Sequence, residues 1–232
     1  MKNRNSGSFA FFLVLTAIFI ASLVSCNLIF QKFFTIDIWL PFIGAYTFEQ
    51  SVGLLPYPVT FLVTDIISEV YGRRKANIVV FSGVIASLFM LLVISISDWM
   101  SAAEWSPVND VTFHSVFGLS GAAVFASMMA YLIAQFIDVR AFHFWKTLTQ
   151  GRHLWLRNNA STIFSQFIDT FLILFLLCNF GVIAWTKFWI LFLNGFLFKV
   201  FFAAFDTPFF YLSSAYLRKK FNLKLGQEVD DF

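Results

Sequence analysis

The stretch that decides the fold is NIVVFSGVIASLFMLLVISIS, residues 77–97, which contains no charged side chain. A helix rises about 1.5 Å per residue, so this stretch would extend roughly 30 Å, the thickness of the hydrocarbon core of a bilayer. The basic residues Arg73, Arg74 and Lys75 precede it and Asp98 follows it. This pattern is typical of a transmembrane helix whose basic end lies in the cytoplasm.

The same apolar character continues along the whole chain. Of its 232 residues 59% are hydrophobic and 12% are charged, against about 45–50% and about 25% in soluble domains. Apolar runs predict six transmembrane helices at about 9–30, 54–71, 77–97, 116–139, 160–184 and 188–217. We therefore predict an all-α integral membrane protein in which residues 1–232 form a single multi-pass domain.

Two segments depart from a simple span. Polar residues and the prolines Pro56 and Pro58 interrupt the second run, so other helices must shield it from lipid. Residues 31–53 contain Pro41 and two glycines, and they alternate in polarity around Asp37. This region is interpreted as an interfacial hairpin or a re-entrant segment between the first and second helices.

The distribution of basic residues predicts the orientation. With the N-terminus inside, thirteen of the 16 Lys and Arg residues fall on the cytoplasmic side, and only Lys32 and Lys187 fall outside. This asymmetry favours cytoplasmic N- and C-termini in a plasma membrane. It also accounts for the net charge of +3 as a topology signal, so we expect no nucleic-acid partner.

Ionisable side chains inside the predicted spans are costly and are therefore candidates for function. The candidate ionisable and amide residues of the spans are Asp65, Glu69, Gln135, Asp138, Gln166, Asp169, Asn194, Lys199 and Asp206. Asp65 and Glu69 are four residues apart, each Gln–Asp pair three apart, and Lys199 and Asp206 seven apart, so each of these sets lies on one face of its helix. We expect these faces to line an interior cavity, with Asp65, Asp169 and Lys199 near mid-depth.

The tetrapeptide QFID occurs twice, at 135–138 and 166–169, and offers an amide and a carboxylate from two antiparallel helices. Two interpretations stay open at this stage. The groups can pair with one another, for example Lys199 with Asp65 or Asp169, or they can bind a polar solute. For Glu69 and Asp138, salt bridges to Arg73, Arg74 or Arg140 at the cytoplasmic rim are a further alternative.

Other chemistry has little support in the sequence. The three histidines lie at loops or helix ends without metal-ligand spacing, no common catalytic motif is present, and Cys26 and Cys178 lie in apolar runs. We predict no enzyme activity, no metal and no cofactor. The prolines Pro56, Pro58 and Pro208 favour discontinuous or kinked helices around a solute site.

Four stretches, in order and in register, carry a family resemblance. They are YPVTFLVTD (57–65) followed by EVYG (69–72), AYLIAQFIDV (130–139), NAST (159–162) continuing to DT (169–170), and FKV (198–200). Over roughly residues 10 to 220 the chain resembles the queuosine precursor transporters, also called the vitamin uptake transporter family, of bacterial inner membranes. Asp206 with Pro208 departs from the family pattern.

The resemblance implies import of 7-deazaguanines such as 7-cyano-7-deazaguanine, 7-aminomethyl-7-deazaguanine or queuine for transfer RNA modification. A guanine-like edge offers two parallel donors that match a carboxylate, and its O6 accepts from a cation or an amide. We therefore expect the substrate ligands to be Asp65, Gln135, Gln166, Asp169 and Lys199. The expected gating or coupling residues are Glu69, Asp138, Asn194 and Asp206.

Three other functions remain as alternatives. A small-residue stripe at Ala17, Ala21 and Ser25 is compatible with the capture subunit of an energy-coupling-factor importer. The loop EVYGRRK (69–75) resembles the cytoplasmic gating loop of major facilitator transporters, and because that fold needs about twelve spans, this chain would be half a carrier that works as a dimer. An intramembrane enzyme has no nucleophile–base pair to support it. A homodimer in the lipid bilayer is the expected assembly.

Overall fold

The computed structural model describes residues 2–40, 44–118, 121–150, 152–224 and 227–229. These residues form seven α-helices and one two-stranded sheet. The helices are α1 (Lys2–Ile29), α2 (Tyr57–Val70), α3 (Arg73–Trp99), α4 (Asp110–Phe117), α5 (Gly121–Leu148), α6 (Leu154–Asn179) and α7 (Phe188–Phe221), and the strands are β1 (Phe33–Leu40) and β2 (Gly44–Ser51).

Five segments are long and apolar enough to cross a membrane, namely Gly7–Ile29, Val52–Val70, Arg73–Trp99, Asn159–Asn179 and Trp185–Phe221. They correspond to five of the six predicted spans and confirm a helical multi-pass membrane protein. The predicted fourth span, 116–139, is shared between α4 and α5, and residues 119–120 lie outside the described residues. The sixth crossing and the orientation of the termini stay predictions.

The short helix α2 is the centre of the bundle. It packs against α1, α3, α5 and α7, and its residues from Thr60 to Val70 are buried except Leu62. This is the shielding that its polar residues require, as predicted. Pro56 and Pro58 begin this helix instead of interrupting it. Pro208 lies inside α7, which continues through it, so neither helix is interrupted at its prolines, and a kink at Pro208 stays a prediction.

The outer helices present apolar faces to lipid. On α3, Ile78, Ile85 and Phe89 are more than half exposed, whereas Gly83 on the opposite face packs against α1. A Cβ atom at Gly83 would lie 2.5 Å from the ring of Phe19, so the glycine permits the close approach of α1 and α3.

A β-hairpin occupies the segment between the first two membrane-spanning helices. Strands β1 and β2 pair antiparallel, with Phe33 opposite Ser51 and Leu40 opposite Gly44, and Pro41 falls outside the described residues. A single 3-10 turn, Val52–Leu54, leads from β2 to α2. The hairpin is the one β-sheet in the described residues. We call the end of the bundle that it covers the hairpin end.

Candidate functional site: a polar-floored cavity

A cavity of about 400 Å³ lies between the hairpin and helices α1, α2, α5, α6 and α7. Its wall is mostly apolar, with a small number of polar side chains. The principal polar side chains are Asn27, Gln50, Tyr57, Tyr131, Asp169 and Lys199. A volume of this size and an apolar wall with few polar groups are typical of small-molecule sites.

An ion pair forms the most polar part of the cavity wall. Lys199 Nζ donates to Asp169 Oδ2 at 2.6 Å, and the two side chains are 7% and 4% exposed. Lys199 is 11 positions from the start of α7 and Asp169 is 10 positions from the end of α6, so both lie about 15 Å along their helices from the hairpin end. We call this pair with Tyr57 the cavity floor.

Tyr57 completes the cavity floor from the first turn of α2. Its hydroxyl donates to the same oxygen, Asp169 Oδ2, at 2.7 Å, and Lys199 Nζ lies 4.4 Å from the centre of its ring. The carboxylate thus accepts from two donors while the cation also faces an aromatic ring. Tyr131 packs edge-on against Tyr57, with ring centres 6.0 Å apart.

Of the five predicted substrate ligands, Asp169 and Lys199 line the cavity and the other three do not. Asp65 and Gln135 are buried between α2 and α5, where Thr64 donates to Gln135 Oε1 at 3.4 Å. Gln166 is 2% exposed, and neither of its amide atoms has a hydrogen-bond partner among the described residues.

Two of the predicted gating residues hold the ends of the bundle. Asn194 accepts from the Tyr46 hydroxyl and donates to the Glu49 carbonyl oxygen at 3.2 Å, and so ties the hairpin to α7. At the opposite end, Glu69 forms ion pairs with Arg218 at 3.0 Å and with Lys146 at 4.0 Å. The salt bridge predicted for Glu69 is therefore present, but its bases are Arg218 and Lys146 instead of the predicted arginines.

The other two predicted gating residues have no base beside them in the contacts of the described residues. Asp138 accepts from Ser165 at 2.8 Å, and a bridge from Asp138 to Arg140 is not formed there. Asp206 is half-buried and lies seven positions along α7 from Lys199, whose carboxylate partner is Asp169. Asp206 therefore does not neutralise Lys199.

Sequence reasoning missed several residues of the cavity. Tyr57 and Tyr131 belong to the motif stretches at 57–65 and 130–139, yet only the charged and amide residues were assigned roles. Gln50 belongs to the hairpin, and its amide nitrogen lies 2.9 Å from where a Cβ atom of Gly195 would be. Only the paired strands bring Gln50 over α7, so no helical spacing could have found it.

Comparison with known proteins identifies the family. The sequence profile described as "Putative vitamin uptake transporter" matches residues 51–213. The chain belongs to this family. The match includes the cavity floor and all helices from α2 to α6, whereas α1 and nearly all of the hairpin lie before it. This family is one of transporters and not of enzymes.

Three curated relatives of this transporter carry related names. It is 31% identical over 129 residues to the "Queuosine precursor transporter" of Escherichia coli (strain K12), covering 56% of this chain and 55% of the relative. It is 28% identical over 123 residues to the "Probable queuosine precursor transporter" of Bacillus subtilis (strain 168), covering 53% of each chain.

The third relative is the "Probable queuosine precursor transporter" of Haemophilus influenzae (strain ATCC 51907 / DSM 11121 / KW20 / Rd). It is 28% identical over 152 residues, which cover 64% of this chain and 62% of the relative. The aligned region thus spans a little over half the length of the curated relatives. No solved structure matches the chain.

Proposed function

We propose that this protein imports 7-deazaguanine precursors of queuosine across the bacterial inner membrane, and that the cavity is its binding site. The observation that carries the proposal is the cavity floor, a buried carboxylate and ammonium pair under a space of about 400 Å³. The names of the relatives supply the substrate class. Lipid surrounds the helices, and a homodimer is the expected assembly.

The chemistry of the floor suits a guanine-like edge. The N1–H and the 2-amino group of such a base are parallel donors that one carboxylate accepts, and O6 accepts from an ammonium. Asp169 and Lys199 offer these two groups side by side. On binding, the contact between Asp169 and Lys199 would be replaced by charge-assisted contacts from each of them to the substrate. Tyr57 and Tyr131 provide aromatic faces for the flat ring, where stacking contributes about 1–3 kcal/mol per base.

Asp65, Gln135 and Gln166 would contact the substrate only after it passes the cavity floor. None of them lines the cavity, and Gln166 lies one helical turn from Asp169, towards the opposite end of the bundle. Its two unpartnered amide atoms are a ready hydrogen-bonding site for a polar solute moving in that direction. We therefore assign the predicted ligands to successive positions along one path.

The test is the queuosine content of transfer RNA in a bacterial host that lacks precursor synthesis and its own precursor transporter. The host expresses the wild type, Asp169→Asn, Lys199→Met or the control Asp110→Asn, whose carboxylate lies in the exposed first turn of α4. Each strain receives 7-cyano-7-deazaguanine, 7-aminomethyl-7-deazaguanine or queuine separately.

We expect queuosine with the wild type and Asp110→Asn and a loss of at least tenfold with the two floor variants. Queuosine at wild-type level in both floor variants would show that transport does not depend on the charges of the cavity floor, and would contradict the proposed binding site. If no strain makes queuosine despite verified membrane expression, the same assay with an energy-coupling module decides between a capture subunit and a different substrate class.

A further inference from the structure

A second polar site lies beyond the cavity floor, towards the opposite end of the bundle. Asp65 on α2 and Asp138 on α5 are 2% and 0% exposed, and both accept hydrogen bonds from a single turn of α6, which brings their carboxyl groups together. Ser165 and Thr162 of α6 complete the site. Neither acid lines the cavity. We call Asp65 and Asp138 the carboxyl pair.

The hydrogen bonds of the carboxyl pair account for only half of its oxygen atoms. Ser165 Oγ donates to Asp138 Oδ1 at 2.8 Å, and Thr162 Oγ1 donates to Asp65 Oδ2 at 3.3 Å. The other two oxygens, Asp65 Oδ1 and Asp138 Oδ2, are buried and have no donor among the described residues. Two carboxyl groups can bond to each other only if one of them carries a proton.

The charges around the carboxyl pair do not replace that proton. The nearby bases of the described residues are engaged elsewhere, Lys199 by Asp169 and Arg218 and Lys146 by Glu69. The other titratable group acting on Asp65 is Asp206 of α7, a further acid. Like charges this close in a buried site cannot both ionise.

We propose that the carboxyl pair holds one shared proton, and that this proton is the coupling ion of the transporter. The second part rests on the proposed transport function. The protonated pair ties α2 to α5, and α6 donates to both acids. Loss of the proton leaves two carboxylates facing each other, and this state is tolerated only if the helices separate and admit water.

The position of the carboxyl pair connects this proton to the substrate site. Ser165, which binds Asp138, lies one helical turn along α6 from Asp169 of the cavity floor, a rise of about 6 Å. A movement of α6 that breaks the contacts to the carboxyl pair therefore also displaces the floor. Proton binding would stabilise the helix arrangement seen here, and proton release would favour an arrangement open towards the end of the bundle opposite the hairpin.

The proton itself is testable without any substrate. Infrared spectra of the purified protein in lipid at neutral pH report the C=O stretch of a buried protonated carboxyl group. We expect this band in the wild type and in the control Asp110→Asn, whose carboxylate lies in the exposed first turn of α4. It should vanish in both Asp65→Asn and Asp138→Asn, because the new amide donates to the remaining carboxylate. A band of unchanged intensity in both variants would overturn the shared proton.

Coupling is tested in liposomes with 7-aminomethyl-7-deazaguanine and 7-cyano-7-deazaguanine and an imposed gradient of one pH unit, acidic outside. If one proton accompanies each substrate, the wild type and the control Asp110→Asn accumulate the uncharged substrate, 7-cyano-7-deazaguanine, about tenfold. Asp65→Asn and Asp138→Asn should lose the response to the gradient. Wild-type uptake that ignores the gradient overturns coupling. No wild-type uptake at all contradicts the proposed function, while the infrared result still decides the proton.

Discussion

The ion pair of the cavity floor gives the sharpest prediction. Lys199→Met removes the cation at nearly constant volume, and Asp169→Asn removes the anion without changing the shape of the side chain. Lys199 Nζ and Asp169 Oδ2 are 2.6 Å apart, and the two side chains are 7% and 4% exposed, respectively. Solvent screening of this ion pair is therefore small. Each single change leaves one buried charge without its partner.

The expected magnitudes follow from this burial. Removing one partner of a buried ion pair costs about 3–5 kcal/mol, whereas replacing both with neutral groups is often close to neutral. Both residues line the cavity, so water can solvate part of the remaining charge, and we expect about 3 kcal/mol for each single variant. The double variant Lys199→Met with Asp169→Asn should therefore be more stable than either single variant.

The assay is the free energy of unfolding in mixed micelles for the wild type and the three variants, together with uptake in the host described above. Two results together would show that the charges serve both substrate binding and packing. The double variant must be more stable than the sum of the two single changes predicts, and uptake must be lost in all three variants. Additive effects below about 1 kcal/mol each would refute a desolvated ion pair. Restored uptake in the stable double variant would show that the charges serve structure alone.

Two further predictions concern the two ends of the bundle. Glu69→Gln leaves Arg218 without its carboxylate and should lower the free energy of unfolding by about 3 kcal/mol, which urea titration in micelles measures; a change below about 0.5 kcal/mol would contradict the ion pair. Gly195→Ala places a Cβ atom 2.9 Å from the amide of Gln50, a flexible group that can move. Uptake should then fall several-fold with stability nearly unchanged, whereas the control Gly7→Ala, which meets no atom within 4 Å, should match the wild type in both.

The membrane helices could be predicted because their signal is local. A run such as residues 77–97 has the length and composition that a bilayer requires, whatever it packs against. The second span could be located despite its polar residues, and the need for shielding follows from the absence of water in the bilayer. For residues 31–53 the sequence left a hairpin and a re-entrant segment open, because the pairing of the strands and anchors such as Asn194 on a distant helix have no local signal.

The contents of the site were predictable, but their grouping was not. The buried acids and the buried Lys199 could be located from their positions in apolar runs, whereas Tyr57 and Tyr131 were not assigned roles. Which acid meets Lys199 depends on the rotation and depth of three helices, and the sequence left Asp65 and Asp169 open as partners. The structure selects Asp169 and brings Asp65 to Asp138 instead. The depth of each residue along its helix, at about 1.5 Å per residue, could not identify the acid that pairs with Lys199. The helix ends predicted from sequence are uncertain by about one turn, and the depths inherit this uncertainty.

The repeated tetrapeptide QFID shows how the surroundings assign different roles to identical residues. Both aspartates lie in antiparallel neighbouring helices and both are buried. Asp169 meets an ammonium and a phenol, so its charge is compensated and it can serve as a standing acceptor for donors of a substrate. Asp138 meets hydroxyl groups of α6 and another acid, with no base beside it in the contacts of the described residues, so its charge is not compensated in the same way. In the proposed mechanism the two acids have different tasks, because one recognises the solute at constant charge and the other changes its charge as the helices move.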